Sequence, residues 1–365
     1  MKASLVSSKS SVDNNKTHSN LPRSVVLLFA IASGVSVANV YYAQPLLDIL
    51  ASDFNISHAA IGGVVTATQI GCALALVFLV PLGDLINRRR LMAIQLMALI
   101  SALLMVAFAH STIVLLTGML AVGLLGTAMT QGLIAYAASA AAPHEQGHVV
   151  GTAQSGVFIG LLLARVFSGG ISDVAGWRGV YFCAAIIMLM IALPLWRRLP
   201  HLNVQPVTMR YPQLLASMLK LLRQEKVLQV RGVLALFMFA AFNIFWSALV
   251  LPLSAPPYNF SHTVIGSFGL FGVIGALAAT RAGQWADRGY AQALHVTNQS
   301  MIFRTRPEAH SRLVGLYMLF YAVGSGVGAI STTATYAYAG WLGVCSLGAC
   351  VSLLALLFWW RTMKL

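Results

Sequence analysis

The chain is short of charge, and shorter still of acid. Charged residues fill only 9% of its 365 positions, and just nine of them are Asp or Glu. Ordinary soluble domains carry roughly a quarter charged residues, so a soluble globular fold is excluded. The scarcity of carboxylates also removes most acid–base enzyme sites, which need such groups placed together. Cysteine is equally sparse. Cys72, Cys183, Cys345 and Cys350 all fall inside apolar runs, with no C-x-x-C spacing, and read as small packing residues. His144, Glu145 and His148 sit within one helical turn but have no further ligand nearby, so they read as a solvated loop end. No catalytic group, metal site or cofactor is expected.

Apolar side chains make up 58% of the sequence and the mean hydropathy is +0.80. A hydrocarbon core about 30 Å thick needs about 20 apolar residues per crossing helix. Ten runs qualify: 24–47, 60–80, 91–109, 112–141, 149–171, 178–196, 232–253, 263–282, 313–339 and 341–360. The sequence therefore predicts an all-α membrane protein. The net charge of +14 does not point to nucleic acid, because the cations sit in the short joints between apolar runs and form no soluble basic face. By the positive-inside rule the joints rich in Lys and Arg face the cytoplasm, together with both termini. That leaves Arg165 inside a span and Arg178 at an outer joint. Residues 1–23 read as a polar cytoplasmic tail. Residues 197–231 read as a basic linker between two halves, with 212–228 able to form an amphipathic helix on the membrane surface.

The halves repeat. At an offset of 204, Asn39 matches Asn243, Ser57-His58 matches Ser261-His262 and Gly71 matches Gly275. Later the offset becomes 164, where Pro143 matches Pro307, Gly160 matches Gly324, and Ala175-Gly176-Trp177 matches Ala339-Gly340-Trp341. Tandem membrane modules of this kind are typical of transporters.

One joint stands out: Gly83-Asp84-Leu85-Ile86-Asn87-Arg88-Arg89-Arg90, echoed by Gly283-Gln284-Trp285-Ala286-Asp287-Arg288. On these residues and the Gly-rich fifth span (Gly151, Gly156, Gly160, Gly169, Gly170), the chain resembles the major facilitator superfamily, in particular its bacterial drug or sugar efflux permeases. Asp84, Arg88 and Arg89 match the family's pattern at this joint, whereas Leu85 and Asn87 depart from it. The resemblance implies two helical bundles in a bacterial inner membrane, small-solute efflux by alternating access, proton coupling left open, and a gating role for Asp84, Arg88, Arg89, Asp287 and Arg288.

The family has twelve spans and this chain has ten, six plus four. Asp84 and Pro143 are 59 residues apart, but Asp287 and Pro307 only 20, a deficit of 39. Two spans would occupy about that length. The equivalents of spans nine and ten are expected to be missing, apart from a remnant near 295–303. Residues 24–196 then form a six-helix bundle and 232–365 an incomplete four-helix bundle. Such a chain is either a transporter that restores its wall by dimerising or a decayed remnant.

Polar groups inside spans are costly and mark pathways or helix contacts. Asn39 and Asn243 are expected on opposite sides of a central pathway, with Tyr42 and Trp246 three residues further on, and Gln69 and Gln131 contributing from spans two and four. The same amides could instead serve only as glue between helices. Arg165 has no carboxylate at its depth. It could meet an anionic solute, a backbone carbonyl or outer water.

Overall fold

The computed structural model describes residues 21–57, 59–142, 145–199, 210–270 and 310–362. Among them are ten helices: α1 Arg23–Tyr41, α2 Leu47–Asp53, α3 Gly62–Leu74, α4 Arg88–Ala107, α5 Thr112–Ala140, α6 Gln146–Arg198, α7 Tyr211–Gln224, α8 Lys226–Ser254, α9 His262–Ser267 and α10 His310–Thr362. Seven helical segments are long and apolar enough to cross a membrane. Two of these, in α6 and α10, are broken midway, which makes nine crossings among the described residues. The eighth expected span starts at α9 and leaves the described residues, so the sequence's total of ten is not reached here.

The breaks in α6 and α10 fall at Gly176 (φ 70°) and Gly340 (φ 59°), repeat partners in the sequence. Positive φ is cheap only for glycine. Each glycine lets the chain reverse at the membrane surface, so each long helix becomes two arms. Both ends of α6 accordingly lie at one end of the bundle. Glu145 accepts from Leu21 N–H at its start, and Trp196 accepts from Arg89 near its finish. We call this Arg-rich side the basic end and the opposite side the far end.

Local chemistry sets the other joints. Pro81 has no N–H to continue the α3 ladder, and the turn before it, Ala75–Leu79, widens to a π-helix. Asn87 then caps α4, its side chain accepting from the N–H of Arg89 and of Arg90. The helices approach closely where side chains vanish. A Cβ on Gly156 would strike the carbonyl of Ala30, and one on Gly160 the carbonyl of Gly34, so the glycines of the fifth span seat α6 against α1. In the second half Gly324 and Gly328 seat the first arm of α10 against Leu236 and Ala240 of α8 in the same way. The second arm runs back along α8, with Phe358 beside Phe237 and Val344 beside Ile244 and Ala248.

The cores are unequal. One large cluster fills the first half and takes in Val250, Leu251, Ile265, Ala322 and Ala329 of the second, whereas the described second half adds only two small ones of its own, around Leu228 and Tyr317 and around Ile244 and Val344. Arg178, the outlying cation, is accounted for at the far end. It pairs with Asp53 at 2.9 Å, stacks on Trp177 and donates to the carbonyl of Ala109. The Trp177 indole shares Asp53 at 2.7 Å and, with Arg178, holds that carboxyl below the usual range against the opposing effect of burial. The repeat partner of Arg178 is Leu342, which is exposed, so this clamp exists only in the first half.

The expected linker contains α7. Its Leu214, Met218 and Leu221 are buried against the second half, and Tyr211 donates to the carbonyl of Phe78. The seventh span begins earlier than expected, at Lys226. The expected remnant at 295–303, and with it the missing-span region, lies outside the described residues.

Candidate functional site

Two cavities line up along the axis between the halves. The larger, about 210 Å³, is walled by both halves: Tyr41 from α1, Thr130 and Gln131 from α5, Gln154 and Phe158 from α6, Phe239 from α8, and Met318 and Tyr321 from α10. Among the described residues, no Asp, Glu, His, Lys or Arg lines it. The smaller, about 40 Å³, lies toward the basic end among Gly83, Arg88, Met218 and Arg312. Leu76 and Gln131 line both, so the two cavities adjoin.

On the far-end side of the central cavity, a chain of polar contacts joins the halves. Arg165 is 1% exposed. Its guanidinium donates to the carbonyl of Leu161 (3.0 Å) and to Gln44 Oε1 (2.7 Å), and Gln44 Nε2 donates to Asn243 Oδ1 (2.8 Å). Asn243 donates in turn to the carbonyl of Phe239. Three aromatic rings surround the cation: Trp246 at 4.1 Å, Phe242 at 5.3 Å and Tyr41 at 5.6 Å. Amide dipoles and ring faces thus do the work of a counter-ion.

Nearer the far surface a second cross-link closes the gap. His262, first residue of α9, places Nε2 3.0 and 3.1 Å from the two oxygens of Asp48 and Nδ1 3.4 Å from Asp173. The N–H groups of His262 and Thr263 donate to the Asp173 carboxylate at 3.0 and 2.8 Å. With a carboxylate at each ring nitrogen, the imidazolium form fits best. The hydrogen bond with Asp48 raises the His262 pKa. Burial opposes the rise, and the charges of Asp48 and Asp173 add to it. Backbone approaches close beneath the ion cluster, where Gly169 meets the carbonyl of His262 and Gly266 meets that of Arg165.

Of the seven residues expected to bind solute, Gln131 lines the central cavity and the other six lie off it. Asn39 and Asn243 do not face each other across a pathway. Asn39, fully buried, donates back to the carbonyls of Val35 and Ser36 of its own helix. Asn243 instead meets Gln44. Tyr42 is buried with its ring 5.2 Å from that of Phe167. Gln69 is buried against Gly326 of α10, and its amide has no hydrogen bond among the described residues. Arg165 does not reach outer water. Of the three partners open to it in the sequence, it takes the backbone carbonyl, with Gln44 and Trp246 besides.

Of the expected gating residues, Arg88 donates to the carbonyls of Gly83 and Ala135 and to Ser139, fastening α4 to α5. Arg89 donates to the carbonyl of Trp196 and stacks on its ring. Asp84 closes a 3-10 turn, Pro81–Asp84. Asp287 and Arg288 lie outside the described residues. Arg312 donates to Ser217 of α7.

Sequence reasoning missed Gln44, Asp48, Asp173 and His262. The usable signal was rarity, since two of only nine acids converge on one histidine.

The family model described as Major Facilitator Superfamily matches residues 29–298, nearly three quarters of the chain. The chain is 37% identical over 385 aligned positions to the putative uncharacterized transporter YgaY of Escherichia coli, covering 95% of this chain and 97% of that one. It is 26% identical over 259 residues to the purine ribonucleoside efflux pump NepI of Salmonella paratyphi B, covering 68% of this chain and 62% of the pump. Among solved structures, the nucleoside transporter NupG superposes with a TM-score of 0.66 at 13% identity, covering 91% of this chain and 98% of that one. At that identity the likeness speaks for the fold alone.

Proposed function

The chain belongs to the Major Facilitator Superfamily, and from that premise we propose that it exports a small, uncharged, partly aromatic solute by alternating access. Nucleosides are the class to test first. The observation that carries this reading is the central cavity: both halves wall it, no ionised group among the described residues lines it, and it adjoins a smaller cavity toward the basic end. A charged solute would lack a counter-ion there. A nucleoside offers a flat ring for Phe158, Phe239 and Tyr321, and hydroxyls and ring nitrogens for Gln131 and Gln154. The similarity to NepI, named a purine ribonucleoside efflux pump, supports the same class and direction.

With the basic end cytoplasmic, as the distribution of Lys and Arg supports, the conformation described is closed outside and leads inward. Arg88 and Arg89 then brace the first bundle around the Gly83–Arg90 joint. Asp84 and its repeat counterparts Asp287 and Arg288 complete the gate at that end.

We take the second bundle to lack the equivalents of spans nine and ten. The alignment with YgaY supports this. It occupies 385 positions, of which this chain fills 95% of its 365 residues, about 347. The remaining 38 or so agree with the deficit of 39 in the repeat spacing.

Everted vesicles containing the protein are expected to accumulate radiolabelled inosine or adenosine saturably. Gln131→Leu is expected to raise the half-saturating concentration about tenfold, the loss of one hydrogen bond in a buried site. If no nucleoside moves, the solute assignment falls. If transport appears only after the missing segment of the relative is inserted between residues 287 and 307, the chain is a decayed transporter.

A further inference from the structure

A groove on the membrane-facing side of the first half is built differently from the cavities above. It lies at the basic end between α4 and the second arm of α6, with Met129 of α5 as its floor, and has a volume of about 420 Å³. Its walls are apolar: Met92, Leu96 and Met97 on one side, Leu189, Leu193 and Leu199 on the other. From Arg89 to Met97 the wall runs eight residues, about 12 Å along a helix. That accommodates the upper part of an acyl chain.

The mouth of this groove is cationic. Arg89 lines it, stacked 5.0 Å over the Trp196 ring, and Trp196 is itself more than half exposed. Arg90, beside it on α4, and Arg197 and Arg198, at the end of α6, are adjacent in sequence to these two. All three carry exposed or half-exposed side chains, and neither α4 nor the second arm of α6 contains a single Asp or Glu. Arg90, Arg197 and Arg198 thus meet no carboxylate on their own helices. A tryptophan at this depth suits the bilayer interface, where basic residues near the surface attract anionic headgroups.

We propose that this groove is a binding site for one anionic phospholipid, its phosphate held by the arginines at the mouth and one acyl chain laid between α4 and α6. The obvious rival, a second copy of this chain, is disfavoured by charge. A two-fold contact through the groove would bring the same four arginines face to face. The site also gives the Gly83–Arg90 joint a second task, since Arg89 and Arg90 would tie the first bundle to the lipid while Arg88 ties it to α5.

The test uses the full-length protein in neutral detergent, titrated with phosphatidylglycerol, with phosphatidylcholine and with glycerophosphoglycerol, and read by native mass spectrometry and thermal melting. Phosphatidylglycerol should bind one to one and raise the melting temperature, and the other two should do neither. Arg90→Gln, Arg197→Gln and Arg198→Gln should each weaken that binding about fivefold. Ala93→Phe, which fills the groove, should abolish it. Equal binding of both lipids, binding of the chainless headgroup alone, or a phosphatidylglycerol preference that survives the three surface Gln substitutions would each overturn the proposal. So would a stable dimer whose formation Ala93→Phe blocks. The Gln variants lie on the exposed rim, so they decide the matter even if Ala93→Phe does not fold.

Discussion

Gln44→Leu is expected to destabilise the protein by about 3 kcal/mol, more than any other single change in the far-end seal. The residue supplies both the oxygen that accepts a hydrogen bond from Arg165 and the amide that donates to Asn243. Without it the buried guanidinium keeps only the Leu161 carbonyl and the aromatic rings, and Asn243 loses its cross-half partner. Removing one partner of a buried charge typically costs about 3–5 kcal/mol, whereas replacing the whole set with apolar groups is often close to neutral. The remaining cation–π contacts place this case at the low end. The double variant Gln44→Leu/Arg165→Met should therefore be more stable than Gln44→Leu alone. Denaturation of the four proteins of this cycle in a single detergent would measure it. A double variant less stable than either single one would show that Arg165 is held by something other than this network. In transport assays both single variants should also leak at the far end, since the turn after α1 is held to α6 and α8 by these two bonds.

The second large effect is one of pH. The closed far end holds His262 between Asp48 and Asp173, which raises its pKa above the ordinary value. Opening would separate these groups and return it toward that value. The closed state therefore binds the proton more tightly. Its advantage is complete below the ordinary histidine range and is lost as the pH rises through the raised value. Asp48 from α2 and Asp173 from α6 are the two charged groups that bear on the ring. Raising the external pH from about 5.5 to 8.5 should thus increase the labelling of a cysteine introduced at the buried Ser172, next to Asp173 in the cluster. His262→Gln should make labelling high and independent of pH, with an open-to-closed ratio about tenfold greater, the worth of a charge-assisted hydrogen bond after allowance for partial exposure. Labelling that stays pH-dependent in His262→Gln would remove the histidine from the gate.

These two effects were legible in the sequence to different degrees. Arg165 announces itself as a cation with no carboxylate at its depth, and its three candidate partners can be named. Which of them it takes depends on where the end of α1 sits relative to α6 and α8, and Gln44 lies 121 residues away from it. Asn39 shows the opposite failure. Its repeat partnership with Asn243 suggested a matched pair facing one pathway, yet both amides donate back to their own helices, and only the Asn243 oxygen is also met from the opposite half, by Gln44. His262 was visible only as one end of a repeated Ser-His pair. Nothing in its neighbourhood marks Asp48 or Asp173, which come to it from 214 and 89 residues away.

Composition and spacing alone determined that this is an all-helical membrane protein built as an internal repeat, and the motif residues around Asp84 carried its resemblance to the family. They could do so because each rests on local physics. A span is a run of apolar residues as long as a bilayer is thick, and the glycine reversals at Gly176 and Gly340 recur because positive φ demands the same residue in both copies. The tertiary structure decided the rest: the uncharged cavity around Gln131, the Arg165–Gln44–Asn243 seal and the His262 cross-link. The physical reason is that these helices are apolar on nearly every side. No periodicity then says which face meets solute, lipid or a neighbouring helix, and only the packing of one half against the other assigns the faces.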